Sequence, residues 1–338
     1  MRHPTLFLTS RGERHQQNAL TAAPSELDIT MRRDPSREEI LRWLPLTEFL
    51  ISERAGVIDA EMIAVGRNLK LIQRLGAQTW DMDLDAAQRA NIPVCYLPVR
   101  TCAMVAEHML LQMLATAKRA RELMQIIADA ADWGAPQRCT EDYFAYNWSR
   151  REHSRGVSGA TVGILGFGEI GIELARRLRA FDCQVLYVKR NRLPEHAERA
   201  LEIQFANQDE LVRGSDFVCS LLPLFPETEQ SLDAQFFAAM KPGAIFVHCG
   251  AGGVVDENAL IAALRSGKLA GAALDTYTYE PMRADDPLLA LARDPMRNLI
   301  LTPHVAAGSG DASSKGRAGD YANIIAVLEN KPLKYRLV

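Results

Sequence analysis

Through the first hundred residues, short apolar runs alternate with stretches in which apolar positions recur every three or four residues. The runs at 5–9, 27–31, 47–52, 69–73 and 93–97 read as strands, and the stretches between them as helices. That rhythm predicts a parallel sheet covered by helices. From Ala103 to about Ala130, Val105, Met109, Leu110, Met113 and Leu114 keep a helical period, which predicts one long helix able to bridge two domains. A polar, aromatic segment from Asp132 to Arg155, with Trp133, Tyr143, Phe144, Tyr146 and Trp148, breaks the pattern and reads as an irregular connection. A second alternating series begins at Thr161, with strands expected at 184–188, 216–221, 244–248, 272–274 and 299–302. The last helical pattern, 320–329, follows that series and could return to pack on the first unit. The expected class is α/β, with two parallel-sheet units.

Composition supports that division. At 338 residues and 48% hydrophobic content the chain exceeds what one core usually holds. The 39 basic and 42 acidic residues leave a net charge of -3, so no field recruits nucleic acid or an anionic membrane, and a small metabolite is the expected partner. Cys95, Cys102, Cys139, Cys183, Cys219 and Cys249 have no CxxC spacing, so they read as reduced core residues rather than a zinc site or disulfide frame. No metal is expected. No apolar stretch reaches the roughly 20 residues that span a bilayer. Without a long apolar leader after Met1, the cytoplasm is the expected location.

The chemistry begins at Gly166, Gly168 and Gly171, spaced GxGxxG directly after an apolar strand and before a helical pattern. The first glycine permits a tight turn, the second lets backbone approach a pyrophosphate, and the third lets helix pack on strand. Glu169, Ile170 and Gly171 then open a helix whose N–H groups can hold phosphate. About twenty residues on, where an NAD site offers an acid to the ribose, the chain offers Lys189, Arg190 and Arg192. Cations there would bind a 2′-phosphate that a carboxylate would repel, so NADP(H) is favoured with NAD(H) still possible.

Several ordered motifs now accumulate: Val105-Ala-Glu-His108, the glycine loop, Pro223-Leu-Phe-Pro-Glu-Thr228, Met240-Lys-Pro-Gly243, Gly252-Gly-Val-Val-Asp256, Gly271-Ala-Ala-Leu-Asp275 and Leu301-Thr-Pro-His304. Through them the chain resembles the D-isomer-specific 2-hydroxyacid dehydrogenase family, the glyoxylate/hydroxypyruvate reductase-like members included. The resemblance implies a Rossmann-like dinucleotide domain, residues 103–307, inserted into a discontinuous flavodoxin-like substrate domain, residues 1–102 and 308–338. It also implies a homodimer. His304 is implied as the acid/base that exchanges a proton with the substrate oxygen, and Glu280 as the carboxylate that orients its imidazole. A carboxylate beside imidazole favours the protonated form, which suits proton donation to a carbonyl. By the same resemblance Asp275 meets the nicotinamide carboxamide, Leu222, Pro223 and Cys249 line the cofactor, and His108 is structural.

One position departs. Where the family carries an arginine that clamps the substrate carboxylate, this sequence has Ala251. A methyl cannot replace two charge-assisted hydrogen bonds of about 1.5–3 kcal/mol each. Three explanations stay open: a deliberate Arg-to-Ala replacement, another cation in the same duty with Arg100 the best substitute, or a carbonyl substrate without a neighbouring carboxylate. Gln78 and Trp80 also stand where the family has a glycine-rich turn, and Trp80 either stacks on substrate or belongs to the core, the reading we favour. The leading expectation is hydride transfer between NADP(H) and a small 2-oxo acid. Its rivals are a non-catalytic dinucleotide sensor and an enzyme acting on another carbonyl compound.

Overall fold

In the computed structural model, residues 2–54, 56–129, 132–308 and 314–338 are described. The chain divides into two compact units, Met1–Ala103 with Ser309–Val338, and Met104–Gly308.

The first unit holds five parallel strands, β1 (His3–Thr9), β2 (Leu27–Arg33), β3 (Phe49–Glu53), β4 (Leu71–Leu75) and β5 (Val94–Leu97), in the order β2-β1-β3-β4-β5. Strands β3 and β4 are buried along their whole length, as expected of parallel strands covered on both faces. One face packs Leu6, Leu50, Ile72 and Val94, the other Phe7, Phe49, Ile51 and Leu71. Full burial of each such side chain contributes about 1.5–3 kcal/mol. The C-terminal helix Ala322–Leu328 joins the second of these faces through Ile324, with Tyr321 just before it donating its hydroxyl to the Ala19 carbonyl at 2.7 Å. The described part of the chain before that helix, from Ser314 to Tyr321, is 3-10 helix, so the α-helix is shorter than its periodicity predicts.

The second unit holds seven parallel strands, β6 (Thr161–Leu165), β7 (Gln184–Val188), β8 (Ile203–Phe205), β9 (Phe217–Ser220), β10 (Ala244–His248), β11 (Leu269–Leu274) and β12 (Leu299–Leu301). Their order is β12-β11-β10-β9-β6-β7-β8, so the topology reverses between β6 and β9. That is the doubly wound arrangement whose switch point receives dinucleotides. β8 was not expected, because three residues at a sheet edge carry no readable period.

The helix predicted from Ala103 to Ala130 is two helices, Arg100–Ala117 and Ala120–Ala128; Ala130 itself lies outside the described residues. The break falls at Arg119, whose backbone is left-handed with φ 53°. The guanidinium of Arg119 pairs with Glu122 and reaches the Met296 carbonyl at 3.2 Å, while Arg121 caps the carbonyls of Ala292 and Leu299. These side chains turn the second helix toward that segment, and sequence period does not report them. Residues 132–155 form turns without helix or strand, as predicted, and Trp133 meets Trp148 edge-on at 5.5 Å. Of the six free cysteines, Cys139 is exposed and Cys183 half-buried, which corrects the expectation that all belong to a core.

Candidate active site

Because all seven strands of the second unit run parallel, their carboxyl ends share one edge. The glycine loop with Glu169 and Ile170 follows β6, Lys189 and Arg190 follow β7, Leu222 and Pro223 follow β9, and Cys249 and Ala251 follow β10. Asp275 and Glu280 follow β11, and His304 follows β12. The structure thus gathers on one edge residues spread over some 140 positions of the sequence. Gln78, Trp80 and Arg100 belong to the first unit, past β4 and β5. Gln78 is buried, Arg100 is exposed, and Trp80 is partly exposed, which departs from the core reading of that tryptophan.

The edge fits a dinucleotide. Gly166 has φ +84°, and a Cβ there would lie 2.8 Å from the Leu221 carbonyl oxygen, so only glycine makes this turn. At Gly168 a Cβ would meet nothing, and the helix Glu169–Leu178 opens on it without a side-chain cap. Open space at an uncapped helix start is what a pyrophosphate requires. Past β7, Arg192 is already committed: its Nε and Nη2 donate to both oxygens of Glu198 at 2.9 and 2.7 Å. Arg190 is exposed and Lys189 half-buried.

His304 and Glu280 meet directly, with Nδ1 2.7 Å from Oε2. The other carboxylate oxygen of Glu280 accepts the Tyr277 N–H at 3.0 Å, so the acid is held from both sides. Tyr277 is itself anchored, its hydroxyl donating to the Thr302 carbonyl at 2.8 Å. Burial, and next the charge of Asp275, push that phenol above its ordinary range and keep it a donor. His304 has a left-handed backbone, φ 52°, which costs about 1–2 kcal/mol. Its N–H, shared between the carbonyls of Asp275 at 2.9 Å and Thr302 at 3.0 Å, holds it there.

Asp275 binds the same loop. Its Oδ1 accepts from the Thr302 hydroxyl at 2.6 Å and the Val305 N–H at 3.0 Å, and its Oδ2 from the Ala306 N–H at 2.8 Å. A carboxylate has about four acceptor positions, so one on Oδ2 is left. Thr302 Oγ1 lies 3.0 Å from His108 Nε2 and accepts from Gln112 Nε2 at 3.2 Å. His108 therefore supports the loop, and Gln112, which the sequence reading passed over, shares that work. Its signal was a polar residue four positions beyond His108 on an apolar helical stripe. Gln112 also accepts from the Cys249 thiol at 3.4 Å, and burial raises that thiol well above its ordinary range, so it stays un-ionised.

The turn at Ala251 is built tightly. Its N–H donates to the Leu222 carbonyl at 2.9 Å, its methyl packs against the core, and a Cβ at Gly252 would lie 1.9 Å from the Tyr277 carbonyl oxygen. His248, fully buried and stacked on Phe246, has Nε2 3.2 Å from the Ala251 carbonyl. Burial lowers its pKa to about 4, so a neutral imidazole braces this turn. A cavity of about 300 Å³ lies beside the pair, lined by His304, Glu280, Tyr277, Met282, Leu289 and Leu301 among others. Among the described residues no cluster could hold a metal ion, and no helix is long and apolar enough to cross a membrane.

Comparison with known proteins gives this geometry its family. The model for the D-isomer specific 2-hydroxyacid dehydrogenase NAD binding domain matches residues 110–306. D-3-phosphoglycerate dehydrogenases of Archaeoglobus fulgidus and Mycobacterium leprae are each 32% identical over 85% and 90% of this chain. The chain spans about half of their length, 50% and 53%. Glyoxylate/hydroxypyruvate reductase B of Shigella boydii is 33% identical, the match covering 81% of this chain and 79% of that protein. Among solved structures, a Thermus thermophilus protein is 29% identical with TM-score 0.53, covering 100% of both chains. A glyoxylate reductase of Paecilomyes thermophila is 25% identical with TM-score 0.54, covering 100% of this chain and 99% of its own. The chain belongs to the D-isomer specific 2-hydroxyacid dehydrogenase family.

Proposed function

We propose that this chain is an oxidoreductase that transfers a hydride between NADP(H) and a small 2-oxo acid, giving the D-2-hydroxy acid, with His304 as acid/base. The observation that carries this reading is the 2.7 Å contact between His304 Nδ1 and Glu280 Oε2. When bound, the dinucleotide supplies or accepts the hydride. The chain's own residues handle the proton. Nδ1–H donates to Glu280, which fixes the ring and leaves Nε2 to face the substrate oxygen. In reduction Nε2–H donates its proton to the carbonyl oxygen; in oxidation Nε2 takes the hydroxyl proton back. Asp275, Thr302, Gln112 and His108 hold the loop that carries this imidazole.

Gly166, Gly168, Glu169, Ile170 and Gly171 bind the pyrophosphate in this reading, with Leu222, Pro223 and the Cys249 backbone along the dinucleotide. The remaining Oδ2 position of Asp275 suits a carboxamide donor. Lys189 and Arg190, past β7, are the cations this reading sets against the 2′-phosphate, while Arg192 is held by Glu198. Residues 103–307 are then the cofactor domain, and residues 1–102 with 308–338 the substrate domain. Exposed Met124, Ile127, Phe144 and Tyr146 in the cofactor domain fit burial in a homodimer. The cytoplasm, where NADPH is available, is the proposed location.

A second reading rests on Ala251, whose methyl offers a carboxylate nothing. Here the substrate is a carbonyl compound without that group. NADPH consumption with phenylpyruvate against phenylacetaldehyde separates the two: the first reading expects the acid to be preferred, the second expects the aldehyde. Under the first, Ala251→Arg raises kcat/KM for the acid by roughly 10- to 100-fold, one or two charge-assisted bonds' worth. An unchanged or lower value favours the second reading. NADPH binding without consumption of either compound would favour a dinucleotide sensor.

A further inference from the structure

Past β7 the chain carries a buried carboxylate that the proposed chemistry does not use. Glu198 belongs to the helix Glu195–Leu201, which follows the cations Lys189, Arg190 and Arg192, and only 7% of the residue is exposed. Its Oε1 accepts from the Tyr187 hydroxyl at 2.7 Å and from Arg192 Nε at 2.9 Å, and its Oε2 accepts from Arg192 Nη2 at 2.7 Å. The bonds from Arg192 hold the Glu198 carboxyl below its usual range. Tyr187, fully buried, also accepts the Leu193 N–H at 2.8 Å. One cluster thus ties down a side chain and a backbone N–H in consecutive residues of the segment that closes β7.

The tyrosine at the centre of this cluster is itself packed in place. Its ring meets Phe167 of the glycine loop, with centroids 4.7 Å apart, and Phe205 of β8, edge-on at 5.5 Å. Phe167 in turn lies close on the helix start, since a Cβ at Gly171 would be 3.0 Å from its ring. Burial, and next the Glu198 hydrogen bond, push the Tyr187 phenol above its ordinary range, so its hydroxyl keeps the proton it donates to Glu198. The turn that carries Lys189 and Arg190 is therefore anchored to the same aromatic stack as the glycine loop, and all of it lies within the second unit.

Stability gives little reason for the arrangement. The Arg192 side chain is 57% exposed, and ion pairs open to water contribute little to folding. Binding gives a better one. Arg190 is exposed, and an exposed cation on an unrestrained turn loses conformational freedom when it meets a phosphate. A turn already fixed by its neighbours loses less, so more of the charge-assisted contact appears as affinity.

We infer that Glu198 is a positioning residue for cofactor choice: by holding Arg192, and with Tyr187 the Leu193 N–H, it keeps the turn 189–193 preformed to present Arg190 to a 2′-phosphate. The inference rests on the NADP(H) reading above. In this account Glu198 touches no ligand atom, and Arg192 serves as the strap between it and the turn. The 2′-phosphate is the part of the cofactor that senses the strap, because the pyrophosphate is assigned to backbone N–H groups of another loop.

Fluorescence titration of the full chain with NADPH and with NADH, and calorimetry with adenosine 2′,5′-bisphosphate, test this in Glu198→Gln. That variant keeps an acceptor for Tyr187 and removes the charge that holds Arg192. NADPH and the bisphosphate should bind roughly 10-fold more weakly, with NADH affinity and the unfolding midpoint unchanged. In an Arg190→Ala background Glu198→Gln should add nothing, because the strap then has no cation to present. A merely structural role would weaken both cofactors alike. The inference is overturned by NADPH affinity at or above the parental value, by equal losses for the two cofactors, by a loss that comes only with a lowered midpoint, or by additive losses in the double variant. Arg190→Ala tells the two failures apart. If it leaves NADPH affinity unchanged, the NADP(H) reading falls and takes the inference with it; if it weakens NADPH while Glu198→Gln does not, the inference falls alone.

Discussion

The two sheets present carboxyl edges of opposite chemistry. The seven-stranded edge is made of glycines, backbone N–H groups and two well-held acids, Asp275 and Glu280, around His304. The five-stranded edge carries guanidiniums gathered around Glu53. A glycine-rich edge leaves room along its backbone, and here it holds an imidazole against a carboxylate. The other edge presents mainly charge. The contrast teaches that sharing a parallel-sheet architecture does not assign a role, which comes from the side chains set at the strand ends.

Removing the proposed proton carrier breaks that division most strongly. His304→Ala should lower kcat by roughly 10²–10⁴-fold while NADPH affinity, read by fluorescence titration, stays unchanged. Parental kcat in that variant would take His304 out of the chemistry. Glu280→Gln keeps the shape and removes the charge, so its kcat loss should be smaller, roughly 10-fold or more. Next comes the cofactor's charge. Arg190→Ala should weaken NADPH by roughly 10- to 100-fold, the worth of a charge-assisted contact, and leave NADH affinity nearly untouched. Equal losses for both cofactors would defeat the 2′-phosphate assignment.

The smallest effect sharpens the account of the brace behind Ala251. The pKa of His248 is lowered to about 4 in the folded chain, against an ordinary 6.5 once unfolded. Below pH 6.5 the unfolded state therefore takes up a proton that the folded state refuses. Stability falls as the pH drops from about 6.5 toward 4 and levels off below, at about 1.4 kcal/mol per unit. His248→Asn, scanned calorimetrically between pH 7 and pH 5, should lose a few degrees less in its unfolding midpoint than the parent. An identical pH slope would mean that the folded imidazole titrates normally.

Much of the seven-stranded edge was legible in the sequence because its parts are local. The glycine loop announces a turn between strand and helix, while the Glu-Pro pair and the Thr-Pro-His run were found as short contiguous motifs through the family resemblance. What escaped was non-local. Gln112 reaches Thr302 across 190 positions, and Arg317 reaches Glu53 across 264. No periodicity encodes such meetings. Arg192 was legible as a cation, yet its capture by Glu198 follows only from the fold of the segment after β7. β8 and the break at Arg119 were missed for a related reason, one too short for a pattern and the other set by side chains bonding a distant segment.

The central claim, proton transfer by His304 coupled to hydride transfer from NADPH, is tested most directly by following NADPH oxidation with glyoxylate, hydroxypyruvate and phenylpyruvate and resolving the configuration of the phenylpyruvate product. The account predicts NADPH consumption matched one to one by loss of at least one of these 2-oxo acids, and any chiral product to be the D-hydroxy acid. NADPH that binds but is not consumed with any of them, or an L product, would contradict it.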